Sequence, residues 1–109
     1  MKWSIFMLLR TLPAWLALPR ETRAEIAETA FNTAFSKSSL QMSYFDAEAF
    51  SARCTDIAVF ETEDLQSYYY AIERLRDSPL FTKPYFEIID IIPAIKDGFR
   101  AFEASVGEN

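Results

Sequence analysis

YFEIIDIIP, residues 85–93, is rich in β-branched and aromatic residues and predicts a β-strand. Side chains alternate between the two faces of a strand. Phe86, Ile88 and Ile92 are therefore expected on one face, and Tyr85, Ile89 and Ile91 on the other. An antiparallel sheet with one wetted side carries polar residues there, but this strand is apolar on both sides. The first residues, MKWSIFMLLR, have the same character. A strand over 2–10 would turn Trp3, Ile5, Met7 and Leu9 one way, and Phe6 and Leu8 the other. A sheet that is apolar on both sides must be covered twice.

Between these strands the pattern changes period. Residues 11–18 form a connection with Pro13 and Trp15. Pro19 suits a first helical turn and Glu21 suits the helix dipole. Ile26, Ala27, Ala30, Phe31, Ala34 and Phe35 recur at helical spacing, predicting an amphipathic helix over 19–36 that SKSS at 36–39 ends. Strands follow near 40–47 and 54–61. Thr62 is the expected N-cap of a second helix that ends near Asp77, with Leu65, Tyr68, Tyr69, Ile72 and Leu75 as its inward stripe. Of Tyr68, Tyr69 and Tyr70, two rings should point inward. Pro79 and Pro84 bracket a connection, and residues 94–109 form a tail with Phe99 and Phe102.

The order βαββαβ predicts one α+β domain over 1–109 with a ferredoxin-like fold. It is a four-stranded antiparallel sheet with two helices on one face. The simplest cover for the other face is a second copy of the chain, a homodimer packed sheet to sheet as a dimeric α+β barrel. The tail is the competing cover.

Composition excludes much chemistry. The 109 residues include no His, two Gly and one Cys. His-dependent triads, haem ligation through imidazole and Cys/His metal clusters are all removed. Both glycines lie near the end, so no phosphate-cradling loop forms. No cofactor and no metal are expected. The net charge of −5, without a basic run, argues against nucleic acid. Arg10 interrupts the early apolar run, so it reads as a strand rather than a signal peptide, and no stretch approaches a membrane span. A single Cys54 suits a cytoplasmic protein and a small buried side chain.

FDAEAFSARCTDIAVFE, residues 45–61, sets four charges into an apolar hairpin. Tyr44, Asp46 and Glu48 should share a face, with Arg53 and Asp56 on the next strand or the turn before it. One reading makes these a pocket between sheet and helices, with Asp46 or Asp56 as a base and Arg53 holding an anion. The other makes them the wetted rim of a hairpin. Asp90 needs a partner inside its apolar strand, and Arg10 is the candidate.

The chain resembles the darcynin family of small bacterial proteins in four stretches. These are PAWLALPRETR (13–23), YFDAEAFSARCTDIAVFE (44–61), DLQSYYYAIERLRDSPLF (64–81) and YFEIIDIIPAI (85–95). The resemblance spans nearly the whole chain and implies a dimeric α+β barrel, but no reaction and no site residues. The wider superfamily includes cofactor-free monooxygenases, isomerases and haem proteins, and the last of these rely on a His that is missing here. Two functions remain. One is a barrel that binds a small apolar or aromatic molecule and, as a cofactor-independent enzyme, could act on it. Trp15, Tyr44, Tyr68 and Tyr69 would line its site, with Asp46, Glu48, Arg53 and Asp56 at the rim. The other is a non-catalytic homodimeric module acting through protein contacts.

Overall fold

The computed structural model describes residues 1–36 and 38–107, so Lys37 of SKSS and the last two residues of the tail lie outside the described residues. Four strands form one antiparallel sheet in the order β2-β3-β1-β4: β1 (Trp3–Thr11), β2 (Gln41–Asp46), β3 (Asp56–Thr62) and β4 (Phe86–Ile95). The helices α2 (Arg20–Phe35) and α3 (Leu65–Arg76) lie on one face. This is the expected α+β, ferredoxin-like architecture. The two proline-marked connections each contain one short helical turn, α1 (Pro13–Leu16) and α4 (Pro79–Thr82), where proline occupies the first helical position.

The core forms where the inward side of the sheet meets the helices. Ile5, Met7 and Leu9 of β1 and Ala58 and Phe60 of β3 are buried against Ala30 and Ala34 of α2 and Ile72 and Leu75 of α3. Phe60 is 1% exposed, and burying such a side chain stabilises by roughly 1.5–3 kcal/mol. Arg74 of α3 ties the helices together by donating from Nε (3.1 Å) and a terminal nitrogen (2.9 Å) to the Ala34 carbonyl. That carbonyl sits at the C-terminal end of α2, where orphan acceptors and the helix dipole favour a cation.

Several local expectations are corrected. The N-cap of α3 is Asp64, whose carboxylate accepts from the Gln66 and Ser67 backbone N–H groups. Thr62 instead ends β3, buried, with its hydroxyl bonded to the Asp64 backbone. Only Tyr68 of the tyrosine run packs inward; Tyr69 and Tyr70 are exposed and meet edge to face. The buried face of α3 is Ala71, Ile72 and Leu75, because Leu65 and Tyr69 lie on its outer side.

The largest correction concerns β4. Leu8 pairs with Asp90 and Leu9 with Ile88, so Ile89 is an extra residue, a β-bulge. The bulge resets the alternation. Phe86, Ile88 and Ile91 pack on the core together, while Ile92, expected beside Phe86 and Ile88, is 46% exposed opposite Phe6 on the other face. That open face carries Phe6 and Leu8 of β1, Phe45 of β2, Ile57 and Val59 of β3, and Ile92.

The tail forms a helix, α5 (Gly98–Gly107), entered through Asp97 at φ 51°. It does not cover the open face. Phe99, Phe102 and Val106 are 60%, 68% and 54% exposed. The helix stands away from the body and stretches the molecule to 59 Å, with a radius of gyration of 16.3 Å; about 13 Å is usual at this length.

Candidate functional site

A cleft of about 380 Å³ opens between the inward face of the sheet and the helices. Its floor is Met7 and Leu9 of β1 with Ala58 and Phe60 of β3, and Met42 and Tyr44 of β2 extend it. Ala27 and Phe31 of α2 and Leu75 of α3 close one side. Trp15, Leu80, Phe81 and Phe86 close the other. Trp15 is fixed there by tilted contacts with Tyr85 at 5.3 Å and Phe86 at 5.1 Å, the offset geometry that aromatic quadrupoles prefer.

The polar end is built where β1, β3 and β2 meet. Asp56, the first residue of β3, points to the helix side and lines the cleft. Its Oδ2 accepts from the hydroxyls of Thr11 and Thr55, each at 2.7 Å. Thr55 is held in turn by the Thr11 backbone N–H, which donates to its Oγ1 at 2.7 Å. The Tyr44 phenol lines the cleft beside Asp56. Burial, then the Asp56 carboxylate, then the Asp46 charge, push the Tyr44 phenol well above its ordinary value. The phenol therefore stays protonated. Burial also raises Tyr68, with Arg76 partly opposing it.

The structure divides the candidate residues. Trp15, Tyr44 and Asp56 come together in the cleft. Asp46 lies opposite Asp56 on the same sheet face but outside the lining. Glu48 falls beyond the end of β2 in the connection, where its backbone N–H donates to Asp46 Oδ1, so it shares no strand face with Tyr44. Arg53 is also in that connection and turns toward the open face, where it meets Asp90 at 3.3 Å. It therefore anchors nothing in the cleft. Arg10 does not pair with Asp90; it donates to the Arg53 carbonyl. Tyr68 packs edge-on against Phe60 outside the cleft, and Tyr69 is exposed. Cys54 is buried and free.

Thr11, Met42, Phe31, Phe81 and Phe86 also line the cleft and were not named as site residues from the sequence. Thr11 had a signal, because it continues the phase of Trp3, Ile5, Met7 and Leu9 and is the one polar residue in that inward series. Among the described residues no group of three or more His, Cys, Asp or Glu side chains converges as a metal site, and no helix is long and apolar enough to cross a membrane.

The family model for Darcynin, a domain of unknown function, matches residues 2–106. A Darcynin from Chromobacterium violaceum is 59% identical over 69 residues, which are 63% of this chain and 87% of that protein. A solved putative chlorite dismutase superposes with a TM-score of 0.74 at 14% identity, covering 85% of this chain and 44% of its own. A haem-binding protein from Thermus thermophilus gives 0.74 at 14% identity, covering 92% and 43%. The chain thus spans less than half the length of these solved chains. At such identity the likeness is one of fold, the dimeric α+β barrel type.

Proposed function

The chain belongs to the Darcynin family, and we propose that it acts as a homodimer whose subunits each hold a small, largely apolar or aromatic molecule in the cleft. The carrying observation is the cleft itself, about 380 Å³ with apolar walls and its polar groups gathered at one end. Small-molecule sites have that composition and span roughly 300–1,000 Å³. Among the described residues Asp56 is the only carboxylate of the lining, so proton transfer without a cofactor is the chemistry this end supports.

The haem of the Thermus thermophilus neighbour does not fit these residues. The chain has no His to ligate iron. Burial and the Asp56 charge push the Tyr44 phenol up, which disfavours it as a tyrosinate ligand. Haem propionates would meet Asp56, since among the described residues no Lys or Arg lines the cleft.

The dimer rests on the open face. Phe6, Phe45 and Ile92 are exposed on it, with Leu8, Ile57 and Val59 between them. A second copy offers the same apolar surface, and a two-fold contact pairs a patch with itself. Two sheets packed this way sit about 10 Å apart. Residence in the cytoplasm accords with the single free thiol of Cys54.

One observation favours a non-catalytic module acting through protein contacts. The stripe of Phe99, Phe102 and Val106 on α5 is exposed, as an amphipathic helix that docks elsewhere would be. Native mass spectrometry of gently purified protein separates the readings. A dimer retaining added small-molecule mass is the expected result. A clean dimer moves the weight to protein contacts, and a monomer removes the sheet-to-sheet packing.

A further inference from the structure

We propose that the cleft selects molecules presenting a hydrogen-bond donor, best a protonated amine, on an apolar body, and rejects carboxylates. This rests on the reading of the cleft as a small-molecule site and adds the chemical class of the occupant.

The inference follows from counting protons at the polar end. A hydroxyl has one proton to give. Those of Thr11 and Thr55 are directed to Asp56 Oδ2 at 2.7 Å, the shortest bond each hydroxyl can donate, and the Tyr44 phenol stands beside the same carboxylate. The Thr11 backbone N–H is likewise used, on Thr55 Oγ1. What this end offers an occupant is therefore lone pairs. A carboxylate has about four acceptor positions, and the two threonine hydroxyls both fall on Oδ2, which leaves Oδ1. Among the described residues, Asp56 is also the only charged residue of the lining. Asp46, directly across the strand pair, adds charge of the same sign. A carboxylate entering here would lose its water beside Asp56 and find no cation. The indole N–H of Trp15 remains as a neutral donor and cannot offset that loss. An ammonium would meet an acceptor of opposite charge, the stronger class of hydrogen bond.

Four probes sharing one ring system test this by calorimetric titration of the intact protein at neutral pH: naphthylmethylamine, naphthylmethanol, methylnaphthalene and naphthoate. The expected order is amine first, then alcohol, then hydrocarbon, with naphthoate weakest. The amine should bind roughly tenfold or more tighter than the hydrocarbon. In Asp56→Asn the amine should lose that advantage and naphthoate should recover toward the hydrocarbon. If the variant does not fold, the wild-type order decides alone. Hydrocarbon equal to amine, or naphthoate equal to hydrocarbon, overturns the donor preference while leaving the cleft a binding site. No binding by any probe overturns both readings.

Discussion

Asp46 and Asp56 stand directly opposite each other across the β2–β3 pair, two carboxylates on the inward side of the sheet. Neither has a basic partner among the described residues, where the ion pair found is Arg53–Asp90 on the other face. Like charges in direct cross-strand register destabilise. Asp46→Asn keeps an oxygen to accept from the Glu48 N–H and removes the repulsion. It should stabilise the fold by about 0.2–1 kcal/mol, read as a higher urea midpoint with an unchanged slope.

Tyr44 gives the protein an alkaline limit. Its phenol is raised in the folded state above the 10.0 of an ordinary tyrosine. Above that pH the unfolded chain releases the proton while the folded chain keeps it, so the unfolded state binds fewer protons and stability falls as pH rises. Below it the contribution is fully present. Tyr68 acts in the same direction. Tyr44→Phe should flatten the loss of stability above about pH 10, measured by urea unfolding at stepped alkaline pH. An unchanged profile would assign the loss to Tyr68.

Ala27 sits on α2 at the wall of the cleft, only partly buried. Ala27→Phe should fill the space from the helix side and abolish probe binding. A partly exposed helical site tolerates the change at a cost of about 1 kcal/mol or less. Paired calorimetry and thermal melts check this, and retained affinity would place the bound molecule elsewhere.

Ile92 lies on the exposed apolar face, opposite Phe6. Ile92→Lys should give a monomer in sedimentation equilibrium with the cleft intact. Arg53→Ala, which removes an exposed ion pair, should change stability by no more than about 1 kcal/mol.

The order of the main strands and helices was legible where the period is clean, two in β1 and near 3.6 in α3. Trp15, Tyr44 and Asp56 were legible as candidates, and the structure brings the three together in the cleft. Glu48 and Arg53 were misplaced for one reason. Alternation was carried past Asp46, where the strand ends and the connection sends Arg53 to the far side of the sheet. The three consecutive tyrosines hold no internal contrast, so only packing against Phe60 distinguishes Tyr68. Asp90 found Arg53 rather than Arg10 through a chain reversal that strand periodicity does not encode.

The bulge at Ile89 also means that β4 carries one residue more than its pairing with β1 requires. That surplus is slack in the length of the chain. A protein lacking Ile89 would run as a regular strand with Phe86, Ile88 and Ile91 still inward and Asp90 and Ile92 still outward. A protein lacking Ile91 instead, with Ile88 and Ile92 holding their register, would bring the Asp90 carboxylate into the place Ile91 holds against Met7. Two deletions of one isoleucine each, two positions apart, would leave the same composition and the same length; the first keeps the core in a regular strand, and the second keeps it only by retaining the bulge and sliding the residues from Ile92 onward by one place along β1.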